Sequence, residues 1–369
     1  MKLFVPAAHR FVRQRTNTDW RYAARLLPKI SDYCPELTVT AQNNVVADAM
    51  INARYGLSIL RGFRALRAIP LSWTYSLEQD SPVFASDIRG RGFNAILAYE
   101  RFPSRTFDLP VAWITGPTHV ARKQEEGTAQ TESGRIIEWK RAKAEQAERL
   151  IFTTQSAREL FVQQSGEHLR GKSSVIPFFL PGIGDGDDIS KKWENPALRF
   201  VFVGRQALRK GLAQTVAAMT PLLEAHPELS LTIISSQDGG SVTIPALPNI
   251  LVRQEATRDE VLALLQQSHI LLMPSTWESY GFVYIEAMSR GCVPLAVDRP
   301  VQRELLGQHG LLVGSQDPEE IRAVIRDAMG DVARLKRMAE TGLEDFRMRF
   351  APGAVAGEFR RVIGEMLGE

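Results

Sequence analysis

Two glutamates, Glu278 and Glu286, stand eight residues apart in the stretch Pro274–Gly291, PSTWESYGFVYIEAMSRG. A strand ends at Pro274, a polar loop follows, and a helix starts near Phe282. One acid therefore lies in the loop and the other in the second helical turn. Between them Tyr280, Gly281, Phe282 and Val283 offer backbone N–H groups at a helix N-terminus, where unpaired donors and the helix dipole favour phosphate. Gly281 has no side chain, so a ligand can approach the backbone closely. A carboxylate one turn into the helix can accept both hydroxyls of a vicinal diol such as a ribose. A carboxylate in the loop can reach sugar hydroxyls beyond the phosphate. The spacing thus suits a nucleotide diphosphate sugar, although the helix dipole alone would also explain two acids at this place.

The elements that position these groups are read from apolar runs. In the C-terminal half Leu198–Val203, Leu229–Ser235, Asn249–Val252, His269–Met273 and Val293–Val297 read as strands. Helical spacing occupies Gly211–Glu224, Asp259 to about Gln267 with Asp259 as N-cap, and Gly281–Ser289. Short apolar runs alternating with helices predict repeated βαβ units and a parallel sheet covered on both faces. The N-terminal half repeats the theme with strands at Lys2–Pro6, Ala95–Tyr99, Val111–Thr115, Leu150–Thr153 and Ser174–Phe179, and a helix capped by Ser156. The stretch Leu180–Asn195, rich in Gly, Asp and Lys, reads as an interdomain linker. Beyond Pro318 the chain reads as helical, with a break near Ala351–Gly353. The expected organisation is a Rossmann-like domain over 1–180, a linker over 181–197, and a second Rossmann-like domain over 198–369 whose C-terminal helices are able to pack back on the first. Two doubly wound domains would face each other across a cleft lined by the carboxyl ends of both sheets, where open α/β sheets bind ligands.

Composition narrows the class. The 369 residues are 44% hydrophobic and 24% charged, too apolar and too evenly charged for disorder. No apolar run reaches the length of a membrane span, and the first apolar run is cut short by His9 and Arg10, so no signal peptide is expected. Cys34 and Cys292 provide neither a disulfide framework nor a cysteine metal site. A reduced, soluble, cytoplasmic chain is expected. The net charge of +3 hides an asymmetry: residues 1–180 hold 25 Lys and Arg against 17 Asp and Glu, so the first half is expected to face something anionic.

The stretch 274–294 resembles the Glu-x7-Glu motif of retaining GT-B glycosyltransferases of glycosyltransferase family 4, including Ala287, Met288, Gly291 and Pro294. Val203–Gly211, VGRQALRKG, is similar to that family's strand–Gly–Arg–x4–Lys–Gly element. The resemblance covers residues 198–369 well and the first half in outline. It implies that Arg205 and Lys210 bind the donor diphosphate, Glu286 the ribose and Glu278 the donor sugar. It further implies that Tyr280, Gly281, Phe282 and Val283 line the phosphate site and that Arg253 lies by the nucleobase. His119, following Gly116 and Pro117, falls where the family carries a histidine aimed at the donor sugar. Cations at a strand's carboxyl end suit the charge that develops on a departing diphosphate, so no metal and no cofactor are expected.

The implied activity is retaining transfer of a sugar from a nucleotide sugar to a saccharide or lipid-linked acceptor, in polysaccharide, lipopolysaccharide or glycolipid biosynthesis. Two alternatives stand beside it: a nucleotide-sugar epimerase of GT-B fold and a non-catalytic GT-B partner. The first loop, AAHRFVRQRTNTDW, departs from the family in lacking a Gly-Gly pair, and Arg15, Asn17 and Thr18 are the substitutes at hand. Ile51–Pro70 places three arginines beside an apolar face, which suits either an anionic membrane surface or a basic surface helix. The acidic run Asp185–Asp188 reads as a solvated loop. Nucleic-acid binding is not expected, because no basic stretch is interleaved with stacking aromatics.

Overall fold

The computed structural model describes residues 1–6, 26–42, 92–99, 108–115, 134–186, 188–194, 197–204, 206–235, 242–278 and 280–369. Among these, the strands form two six-stranded parallel sheets in two compact units. The first unit ends at Pro181 and is completed by Pro352–Glu369; the second is built on Gly182–Ala351.

In the first unit β1 (Lys2–Pro6), β2 (Thr38–Gln42), β3 (Ala95–Tyr99), β4 (Val111–Ile114), β5 (Arg149–Phe152) and β6 (Ser173–Val175) lie in the order β2-β1-β3-β4-β5-β6. Side chains alternate across a strand, and both faces are buried here. Ala95, Leu97, Ala112, Ile114 and Ile151 join one core with Leu3 and Val5. Ile96, Ala98, Val111, Trp113, Leu150 and Phe152 join the other, closed by Ala144 and Phe161 from the helices α2 (Gly134–Gln146) and α3 (Gln155–Ser165). That is why the strands read as unbroken apolar runs. The first core is closed by the short helix α1 (Ile30–Tyr33) through Ile30, and by Val355, Phe359, Val362 and Ile363 from the last helix of the chain.

In the second unit β7 (Arg199–Val203), β8 (Ser230–Ile234), β9 (Ile250–Arg253), β10 (Ile270–Leu272), β11 (Val293–Val297) and β12 (Leu311–Val313) take the order β12-β11-β10-β7-β8-β9. The helices are α4 (Leu212–Ala225), α5 (Arg258–Gln267), α6 (Phe282–Ser289), α7 (Pro300–Leu306), α8 (Pro318–Gly330) and α9 (Val332–Arg349), and α10 (Pro352–Leu367) is the helix that belongs to the first unit. From β7 the chain winds outward through β8 and β9, then returns to the other side of β7 with β10. The switch point of the sheet is therefore the β7/β10 boundary.

Several boundaries differ from the sequence reading for local reasons. Thr154, not Ser156, caps α3, its hydroxyl accepting from Ala157 N at 3.1 Å. Thr257, not Asp259, caps α5, because Glu260 three residues on closes a reciprocal capping box. Strand β6 ends at Val175 rather than Phe179, and Asp331 interrupts the C-terminal helical run as the cap of α9. Within the stretch read as a linker, part of the chain is tied to the second unit. Residues 190–194 form a 3-10 turn in the second unit, and Lys192 donates to the carbonyls of Ser268, Arg290 and Gly291 at 3.0, 2.7 and 2.6 Å. Among the described residues no helix is long and apolar enough to cross a membrane.

Candidate active site

The site residues sit on two loops that leave the carboxyl ends of β7 and β10, side by side at the switch point. The first loop is pinned by two glycines. A Cβ on Gly204 would lie 2.2 Å from Lys210 Cδ, so the lysine stem occupies space that only glycine leaves open. Gly211 takes a left-handed conformation (φ +81°) as the N-cap of α4, and a Cβ there would lie 2.5 Å from the carbonyl oxygen of Pro274. Its bare backbone is what lets the two loops touch. They are then sewn together: Thr276 N donates to Arg209 O at 2.9 Å, and Arg209 donates to Trp277 O while lying 5.5 Å over the Trp277 ring.

Glu278 is the meeting point. Its Oε1 accepts from Lys210 Nζ at 2.7 Å, from Ser275 Oγ at 3.2 Å and from Arg209 at 3.3 Å. The Glu278 side chain is 9% exposed and that of Lys210 15%, so this pair is drier than an ordinary surface salt bridge. The structure therefore brings Lys210 and Glu278 together as an ion pair.

Gly281, again left-handed (φ +88°), starts α6 with no side-chain cap on the first turn. A Cβ at Gly281 would lie 2.4 Å from the Tyr284 ring, and the Tyr284 hydroxyl donates to Met273 O at 2.8 Å. That bond fixes the first turn of α6 against the end of β10. Tyr280 is buried, its ring 5.4 Å from that of Phe282. Val283 follows within the same turn, and its side chain is half-buried. The helix N-terminus thus opens beside the Glu278 cluster.

Glu286 is in the second turn of α6, mostly buried, and accepts from Arg258 Nε at 3.1 Å. Burial pushes its carboxyl above the ordinary glutamate range, while Arg258 and Arg290 oppose that rise. Arg258 is the first residue of α5, where a cation faces the positive end of its own helix. Its placement is explained by the carboxylate it meets rather than by the helix it begins. Arg253 ends β9 at the outer edge of the sheet and is exposed. Among the described residues no hydrogen bond or ion pair joins it to Glu278 or Glu286, and its charge acts on Glu260 instead. Arg205 and His119 lie outside the described residues, as do Arg15, Asn17, Thr18, Asp187 and the stretch 51–70.

Arg209, Ser275 and Arg258 were not singled out in the sequence. Arg209 immediately precedes Lys210, and that doubled charge was the signal that could have found it. Arg258 was legible only as an unfavourable cation at a helix start.

Residues 187–345 match the family described as Glycosyl transferases group 1. Glycogen synthase of Mycobacterium tuberculosis is 29% identical over 149 residues, covering 38% of this chain and 36% of that protein. GDP-mannose:cellobiosyl-diphosphopolyprenol alpha-mannosyltransferase of Xanthomonas oryzae pv. oryzae is 25% identical over 174 residues, covering 44% and 43%. These alignments span less than half the length of either relative. Among solved structures, HepE of Anabaena in complex with UDP and glucose superposes over 99% of both chains with a TM-score of 0.60 at 14% identity. That likeness establishes the fold as GT-B, two Rossmann-like units in one chain.

Proposed function

From the match of residues 187–345 to the glycosyl transferases group 1 family, we propose that the chain is a retaining glycosyltransferase moving a sugar from a nucleoside diphosphate to an acceptor hydroxyl. The observation that carries this reading is the convergence of Lys210, Glu278 and the uncapped start of α6 at the switch point of the second sheet. The diphosphate is taken by Lys210, with Arg205 as a second cation and the first amides of α6 as further donors. Glu286 accepts the ribose hydroxyls, Glu278 accepts hydroxyls of the donor sugar, and Arg253 lies toward the base. His119 polarises a hydroxyl of donor or acceptor.

As the bond from the anomeric carbon to the diphosphate lengthens, negative charge grows on the leaving oxygen. Fixed cations in a partly dry site stabilise that charge without reorganisation. The acceptor attacks from the face the diphosphate leaves, so no carboxylate acts as a covalent nucleophile and no divalent cation is needed. The acceptor is a saccharide or a lipid-linked saccharide. The lipid-linked cellobiosyl diphosphate named for the Xanthomonas relative supports that class, and a role in polysaccharide, lipopolysaccharide or glycolipid assembly at the inner membrane face.

Two donors are worth testing first: UDP-glucose, given the UDP and glucose in the HepE complex, and GDP-mannose, given the mannosyltransferase relative. Lys210→Ala is expected to lower transfer by about two orders of magnitude while the circular dichroism stays native. Unaltered turnover would refute the assignment. Activity that survives EDTA and a product whose anomeric configuration matches the donor check the remaining points. Consumption of a nucleotide sugar with no acceptor present would instead identify an epimerase.

A further inference from the structure

We propose that Glu278 is the resting counter-ion of an oxyanion clamp built by Arg209, Lys210 and Ser275, and that the diphosphate of the incoming nucleotide displaces it. The inference rests on the reading of this site as one for a nucleotide sugar, and it adds Arg209 to the residues that hold the diphosphate.

Three donors from two loops converge on a single oxygen, Glu278 Oε1, at 2.7, 3.2 and 3.3 Å. Such convergence is the arrangement expected around a phosphoryl oxygen, here filled by a side chain of the protein. The two cations do not depend on Glu278 for their positions. Arg209 is held by Gln206 Oε1 at 2.5 Å, by Trp277 O and by the Trp277 ring. The stem of Lys210 is lodged over Gly204, and its ammonium also lies 3.4 Å from Met273 Sδ. The clamp therefore survives departure of the carboxylate.

Both cations are largely shielded from water, so a ligand-free site needs an anion there to avoid leaving them unpaired. Glu278 supplies one charge. A diphosphate supplies more, offers several oxygens to the same donors and also gains the start of α6, so exchange favours the nucleotide. Displacement has a second consequence. Glu278 Oε1, occupied in the free enzyme, becomes available to the hydroxyls of the sugar carried by that same diphosphate. Loading the phosphates and arming the sugar-binding carboxylate are then one event.

Titration calorimetry of the full chain with UDP, GDP and ADP tests this. Glu278→Gln, which keeps the shape and removes the charge, is expected to bind the accepted nucleoside diphosphate about tenfold more tightly than wild type while transferring sugar more slowly. Arg209→Met is expected to bind it about tenfold more weakly, with Arg209→Lys recovering part of the loss. In a crystal structure with the nucleotide, Lys210 Nζ should stand more than 4 Å from Glu278. Equal or weaker binding by Glu278→Gln, or a Lys210–Glu278 pair intact beside bound nucleotide, would overturn the clamp while leaving nucleotide binding by wild type in place. Failure of wild type and Glu278→Gln alike to bind any of the three would overturn both the clamp and the nucleotide-sugar reading.

Discussion

Glu286, proposed above to bind the ribose, is held at a cost to stability. Its raised pKa means that the folded chain prefers the protonated carboxyl more than the unfolded chain does. Its share of stability is therefore fully present below the ordinary glutamate pKa and lost as pH rises through the folded value. Glu286→Gln is a neutral isostere and removes that loss near pH 7, at the expense of the carboxylate proposed to accept the ribose. Arg258 is the group that holds the carboxylate in its charged, accepting form. Replacing it by Met should weaken donor binding several-fold at pH 7 and move the acid limb of the binding profile to higher pH, with Arg258→Lys in between. A donor-binding profile measured from pH 4.5 to 8 checks this, and superimposable profiles would dismiss Arg258 as a bystander.

At the scale of elements, α4 contains a residue that local propensity forbids. Pro221 lacks the N–H that would bond Ala217 O, four residues back. Arg322 on α8 takes that carbonyl at 2.8 Å and Ala218 O at 3.0 Å. Its side chain is only 12% exposed, and its guanidinium is itself paired with Glu319. A break in one helix thus becomes the docking point of another. Arg322→Met should destabilise the protein by about 1–2 kcal/mol, the scale of a charge-assisted hydrogen bond lost to a carbonyl. The double variant with Pro221→Ala should recover much of that loss, because the helix can then satisfy Ala217 itself. Urea midpoints of the four proteins in this cycle would show the coupling.

At the scale of the whole molecule, two passages between the units fall among the described residues, at Pro181–Gly182 and Ala351–Pro352, and each is anchored. The first is held through His269, whose Nδ1 accepts from Arg199 N at 3.0 Å while Nε2 lies 3.0 Å from Lys192 O. Those partners require the neutral Nε2–H form. Burial holds its pKa near 4, against an ordinary 6.5. With the folded value depressed, the stabilisation is present above pH 6.5 and is lost as pH falls toward 4, on the order of 3 kcal/mol in all. Wild type should lose stability between pH 6.5 and 5, before most carboxylates titrate, and His269→Gln should not; equal slopes in urea titrations would disprove the assignment. The second crossing delivers α10 to the first unit, where Val355, Phe359, Val362 and Ile363 are fully buried or nearly so. Their burial amounts to roughly 6–12 kcal/mol gross, comparable with the net stability of a domain. A chain ending at Ala351 should therefore lose the first unit to limited proteolysis while a fragment of the second resists.

The motif from Pro274 to Pro294 and the alternation of apolar runs were enough to place Glu278 and Glu286 on a loop and a helix beside a parallel sheet, because β10, α6 and β11 are local and their patterns are strong. The shorter or more polar pieces escaped: β2, whose run TVTAQ carries little apolar signal, and α2, nearly half of whose residues are charged. The sequence reading kept α10 within the stretch 198–369 while allowing the C-terminal helices to pack back on the first domain, since a helical stripe says that a face is buried but not against what. Likewise the sequence marked Lys210 as a cation near Glu278 in outline, and only the folded loops decided that the two would pair and that Arg209 would join them. Contacts between residues sixty or more positions apart depend on strand order and on where a glycine lets one backbone approach another, and neither is written in any local window.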